Sequence, residues 1–178
     1  TTRRSSGRAL SPLSGGLPCR IISRDGQPYL ERYYLARVGP VTAYLHRFVG
    51  RDGDIETHDH PWRALSLVLA GGYIEERARL NGDQPPQIRQ RRVRWGNLLW
   101  LHSLHRIAAT EPDTWTLFLH GPHRKRWGFV RYIQPDAGTR GGCLYHQPFP
   151  PWRGEDWGHA PRGRNAARQP QQRTPASP

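Results

Sequence analysis

The run His58-Asp59-His60-Pro61-Trp62 places two imidazoles two residues apart, just before the apolar stretch Leu65-Ser66-Leu67-Val68-Leu69-Ala70. Side chains on an extended chain repeat every second residue, so the two rings share a face and can grip one ion. A third imidazole is available downstream in Leu101-His102-Ser103-Leu104-His105-Arg106-Ile107, from either His102 or His105. Three residues apart in extended chain, these two face opposite sides, so only one of them enters an interior. Two histidines from one strand and one from another form a facial donor set with open positions, suited to Fe(II) or another divalent ion such as Zn, Mn or Ni. That is a reactive arrangement rather than a sealed structural one.

Other chemistry-bearing residues lie where extended chain is expected. Tyr44 and His46 share a face with Phe48, and if that face is interior they are the candidates for moving protons. Glu75 shares a face with Tyr73; it is a candidate contact for substrate or metal, against the plainer reading of an exposed strand glutamate. Arg126 and Trp127 are candidates to close the mouth of a pocket over an anionic substrate, against a structural arginine packed on tryptophan. His120 and His123 flank Gly121-Pro122 and read as a surface turn. There is no P-loop, no GxSxG elbow, no HExxH helix and no paired-cysteine zinc signature. Cys19 and Cys143 are too few for a disulfide framework and read as inert thiols.

The elements that must position these groups are strands. Turn residues punctuate the chain every eight to twelve positions, the rhythm of an all-β sandwich or barrel. Tyr29 to Val38 and Val41 to Val49 are rich in aromatic and branched residues and read as strands around the Gly39-Pro40 turn. The histidine strand is expected to run to Ala70, and Gly71-Gly72 to make a tight hairpin into Tyr73 to Leu80. Asn81-Gly82-Asp83 with Pro85-Pro86 ends that strand. Further strands are expected over 87–95, 98–101, 104–109, 114–120 and 127–133. The only helical period is a short piece near Cys19 to Asp25, and from Gly138 onward Trp152 and Trp157 are expected to pack as a flap.

Of 178 residues, 35% are hydrophobic, low for a globular chain, and the deficit lies at the ends. Residues 1–20 and 160–178 are rich in Pro, Gly, Ser, Gln and Arg and read as disordered basic tails around a folding unit of residues 21–159. The net charge of +13 invites a nucleic-acid reading, yet four arginines in each tail supply much of it. In the body, Arg92 and Arg94 share one strand face and Arg89 and Arg91 the other, which does not make one phosphate stripe. Nucleic acid is therefore kept as a partner that is not favoured, and solvated edge-strand charge is the plainer account. No long apolar run or leader-type apolar segment is visible, so a soluble, cytoplasmic protein without membrane contact is expected, with a homodimer compatible.

The layout resembles the cupin superfamily, whose members are antiparallel jelly-roll barrels with a metal inside. Gly53, His58, His60 and Gly71 or Gly72 match its first motif, whereas the glutamate position falls on Ala64 or Leu65. The resemblance then implies three histidines, as in the thiol dioxygenase branch. The second motif is matched loosely by Gly96 and His105, which makes His105 the implied third ligand, with Ala109 at its Asn position. The strings Tyr44-Leu45-His46-Arg47-Phe48, His58 to Trp62, Gly71-Gly72-Tyr73, His105-Arg106, Gly121-Pro122 and Arg126-Trp127-Gly128-Phe129 look like those of short cupin-like proteins of bacteria and phages over residues 29–133. The implied function is a dioxygenase-like oxidation of a small polar or anionic molecule at one Fe(II). A non-redox metal-dependent isomerase or lyase and a non-catalytic binding module are the alternatives.

Overall fold

The computed structural model describes residues 10, 12, 14–24, 26–50, 56–136, 141–147 and 156–168. Twelve strands carry the described fold: β1 (Cys19–Arg24), β2 (Gln27–Val38), β3 (Val41–Phe48), β4 (Thr57–His58), β5 (Ala64–Ala70), β6 (Tyr73–Asn81), β7 (Gln84–Val93), β8 (Gly96–Leu99), β9 (Leu104–Thr110), β10 (Trp115–His120), β11 (Phe129–Ile133) and β12 (Gly142–His146). A 3₁₀ turn at Ser14–Gly16 precedes them and a short helix α1 (Gly163–Arg168) follows.

The strands form two antiparallel sheets in the orders β1-β2-β3-β10-β5-β8 and β12-β11-β4-β9-β6-β7. From β3 to β10 the chain passes between sheets at nearly every connection, giving paired quartets β3-β10-β5-β8 and β4-β9-β6-β7. This is the double-sheet jelly roll predicted from the resemblance to cupins. Alternation sends Tyr44, His46 and Phe48 of β3, Ser66 of β5 and Thr116 and Phe118 of β10 inward, and all six are buried.

Five local expectations are corrected. The histidine strand does not run to Ala70: β4 ends at His58, and β5 starts at Ala64 in the other sheet. Gly71-Gly72 is not a hairpin, because β5 pairs with β10 and β8 whereas β6 pairs with β7 and β9. It is the corner where the chain changes sheets. Gly71 has φ +69° and a Cβ there would sit 2.9 Å from the Thr114 Cα, so only glycine fits. The expected helix near Cys19 is strand β1, since Ile21 and Ile22 favour a pleated surface and β2 offers an edge to pair with; Asp25 lies outside the described residues. The turn after Asn81 ends β6 as expected, but the next strand, β7, starts at Gln84 rather than 87 and takes in Pro85-Pro86, which an edge strand tolerates. A strand unforeseen in the sequence, β12, adds to β11.

The ordered body also extends past residues 21–159. Cys19 Nα donates to the Pro161 carbonyl at 2.7 Å, and Gly163 Nα donates to the Leu17 carbonyl at 2.8 Å. Behind this stitch lies a second core outside the barrel, made of Cys19, Tyr33, Leu45, Ala70 and Trp115, with Leu17, Ile21 and Ala167 packed against it. Trp157 is buried against Tyr34 and Tyr44, while Trp152 lies outside the described residues. Neither cysteine is in a disulfide, and burial pushes the Cys19 thiol up to about 12, with Glu31 adding to the effect, so it is inert at neutral pH.

Candidate metal centre

His58 ends β4 and stands directly opposite His105 of β9 in the ladder. His60 follows two residues later, where the chain leaves the sheet. The three rings meet with centroids 5.0 to 5.2 Å apart. One ligand nitrogen from each lies within 4.8 Å of the others, and His60 Nε2 is 2.8 Å from His105 Nε2. His102 sits in the exposed turn before β9 and has no part in the cluster.

The intervening Asp59 points away and is itself buried. Its carboxylate accepts hydrogen bonds from Gly128 Nα at 3.0 Å and from the Tyr145 hydroxyl at 3.2 Å, and pairs with Lys125. The histidine segment is thereby tied to the loop before β11. Arg124 Nα donating to the Pro61 carbonyl at 2.7 Å and Asp59 Nα donating to the Gly128 carbonyl at 3.1 Å complete the tie.

Glu75 is fully buried, not an exposed strand glutamate, and it does not line the cavity either. Its Oε1 lies 2.8 Å from His105 Nδ1, which turns His105 Nε2 toward His60. The same carboxylate accepts Asn97 Nδ2 at 2.7 Å, Arg91 Nε at 2.6 Å and Arg77 Nε at 3.0 Å. Burial alone would raise its pKa; His105, Asn97 and Arg91 overcome that and bring it to about 2. The sequence could not show this, because alternation puts Glu75 on the face of Tyr73 without saying that this face is interior or what neutralises a carboxylate there.

The three imidazoles form one wall of a cavity of about 400 Å³, a size suited to a small molecule. Phe48, Leu99, Ile107 and Phe118 make much of it apolar, and Trp62 and Trp127 stand beside His60 and His58. His46 also lines it, stacked on Phe118 at 4.9 Å and accepting Arg32 Nε at 3.2 Å through its Nε2. That bond leaves the ring proton on Nδ1. Burial, with Arg32 and His120 nearby, holds His46 well below the ordinary histidine value of 6.5. Burial and the neighbouring His105, His58, Arg32 and Lys125 do the same to His60. Both rings are therefore held toward the neutral form, the form in which an imidazole can bind a metal.

Four of the residues weighed from the sequence fall elsewhere than expected. Tyr44 shares the face of His46 but lies beyond it, stacked between His46 at 6.0 Å and His120 at 5.5 Å, outside the cavity lining. Arg126 is exposed and outside the lining, so among the described residues the cation that lines the cavity is Arg32. His123, read as surface, lines the cavity, and His120 stacks on Trp62 at 4.4 Å. Arg32 escaped notice because both faces of β2 are covered at that point: Leu30 and Arg32 face the cavity, Glu31 and Tyr33 the second core.

No protein-family model matches the chain, and no curated protein matches it. Solved structures with a similar strand layout include hydroxypropylphosphonic acid epoxidase from S. wedmorenis, at 13% identity and TM-score 0.42, covering 61% of this chain and 56% of that one. Another is HEPD of Streptomyces albus with 2-hydroxyethylphosphonate and Fe(II) bound, at 15% identity and TM-score 0.46, covering 60% and 24%. A third is an RmlC-like cupin from Shewanella frigidimarina, at 18% identity and TM-score 0.39, covering 61% and 86%. The match spans little more than half the length of the epoxidase and about a quarter of HEPD. No helix among the described residues is long and apolar enough to cross a membrane.

Proposed function

We propose that this chain is a metal-dependent enzyme of cupin type in which His58, His60 and His105 hold one divalent ion, Fe(II) in the first instance, and oxidise a small anionic substrate. The observation that carries the reading is the convergence of three buried or half-buried imidazoles, their ligand atoms within 4.8 Å, on the wall of a cavity large enough for a small molecule. Bound there, Fe(II) supplies one-electron chemistry with dioxygen, while a facial donor set leaves room for substrate. The chain supplies the rest. Arg32 presents a guanidinium to the cavity and binds the acidic end of the substrate. His46 fixes Arg32 and holds its own proton at Nδ1. Trp62, Trp127 and Phe118 exclude water and orient the substrate's apolar part.

The neutral, cavity-lining His46 supports a second reading, a non-redox isomerase or lyase using Zn, Mn or Ni with His46 handling a proton. Elemental analysis of anaerobically purified protein, followed by oxygen-uptake screening against small carboxylates and phosphonates, tests both. Stoichiometric iron with substrate-dependent oxygen uptake supports the oxidation. Tight zinc with no oxygen uptake supports the second reading, and no metal at all leaves a binding module. With an active substrate in hand, Arg32→Met is expected to raise KM for the acid far more than for its amide.

A further inference from the structure

A second depression of about 610 Å³ borders the metal cavity and, among the described residues, shares only His123 with it. Its floor is aromatic: Tyr34 stacks on Trp157 at 5.5 Å, and Tyr44 lies 5.4 Å from Trp157. Its rim is basic, with Arg37 from β2, His120 and His123 from the β10 end, and Arg162 from the segment before α1. Three distant stretches of chain thus converge on it. The two rim arginines are exposed and bond only to carbonyls among the described residues, Arg37 Nε to Gly39 at 3.3 Å and an Arg162 guanidinium nitrogen to Gly16 at 2.9 Å. A carbonyl satisfies a donor but does not neutralise a charge, and among the described residues no aspartate or glutamate lines the depression.

We infer that this groove is a second small-molecule site, separate from the metal cavity, that takes an organic anion: an aromatic body against Tyr34, Tyr44 and Trp157, and a phosphate or carboxylate between Arg37 and Arg162. A flat apolar body gains by leaving water for the aromatic floor, and the acid supplies the charge that the rim lacks. Neither half accounts for the site alone. A bare anion would leave the floor wet, and a neutral arene would leave the two guanidinium groups uncompensated. The Trp62-His120 stack at 4.4 Å and the Trp62-His123 contact at 4.9 Å form the partition between the two chambers.

Isothermal titration of the full-length protein with phenyl phosphate, inorganic phosphate and phenol tests the inference, with and without prior removal of metal by chelation. Phenyl phosphate is expected to bind one to one, about tenfold or more tighter than either half molecule, and equally with and without metal. Arg37→Glu, an exposed position that does not endanger folding, is expected to weaken it about tenfold or more. Arg89→Glu makes the same charge change on exposed β7, in the other sheet, and is expected to leave binding unchanged. Equal weakening by both variants would reduce the effect to net charge and overturn the proposal. So would binding that vanishes with the metal, which would put the ligand in the metal cavity. Absence of binding below millimolar phenyl phosphate overturns it outright.

Discussion

Glu75 Oε1 stands 2.8 Å from Nδ1 of His105, and the Nε2 of that same ring stands 2.8 Å from His60 Nε2. One carboxylate thus sets which nitrogen of His105 faces the other two imidazoles, and it raises the ring's basicity as a ligand. Glu75→Gln keeps the shape and removes the charge. It is expected to weaken metal affinity by about 10-fold to 100-fold while the far-UV circular dichroism stays that of a β protein. A competition titration against a metal chelator reads this directly, and an unchanged affinity would mean that Glu75 serves only Arg77 and Arg91.

Alanine at His58, His60 or His105 leaves a facial set of two, which holds a divalent ion poorly. Each variant is expected to lose stoichiometric metal after anaerobic purification. His102→Ala, in an exposed turn, is expected to keep it. Retention of metal by all three core variants would remove the reading of the site. The ion binds only the folded barrel, so metal at about 100 times Kd is expected to add roughly 2.7 kcal/mol to stability, an increment absent from the His105→Ala protein.

How much of this was legible in the sequence follows from periodicity. The His58 and His60 pair could be placed because two-residue spacing in extended chain puts both rings on one side, although β4 ends at His58 and the chain changes sheets before Ala64. The sheet switch at Gly71 could not, since a glycine pair marks a sharp turn equally well within one sheet or between two. Residues 14–20 and 160–168 looked like tail because neither stretch has enough apolar surface on its own. They order by pairing with each other, Pro18 bridging Arg162, over the outward-facing Tyr33 and Trp115. Contacts between segments more than a hundred residues apart leave no local signature. For the same reason, the His123 of a polar turn gave no sign that the turn folds back along Pro61.

Acidification is expected to destabilise the metal-free protein in two stages. His46 and His60 are held below the ordinary value of 6.5 by burial, so as pH falls through that value the unfolded chain takes up protons that the native state refuses. Each contributes a loss of up to about 1.4 kcal/mol per pH unit below that point. Glu75, lowered from 4.5 to about 2, adds its own loss only as pH falls from the first of these values toward the second. Urea unfolding between about pH 7.5 and about pH 5 checks the first stage. A flat midpoint across that range would show that the buried imidazoles protonate in place.

The C-terminal segment is expected to be part of the folded body. Arg168 of α1 donates to the fully buried Glu31 at 2.8 Å, which also accepts the Tyr33 hydroxyl at 2.8 Å and an Arg47 nitrogen at 3.3 Å. Ending the chain before Gly163 removes one counter-charge from a buried carboxylate and uncovers the outer face of Cys19, Leu45 and Trp115. The melting temperature is expected to fall by on the order of 5 °C or more, with the metal site, whose His58 and His105 belong to the other sheet, still able to bind. Gly163→Ala separates this docking from mere chain length. Its φ of +73° and a Cβ position 2.5 Å from the Gly15 carbonyl make any side chain strained there, at a cost of roughly 1 to 2 kcal/mol. A truncation and a Gly163→Ala protein that both melt with the parent would return this segment to the status of a tail.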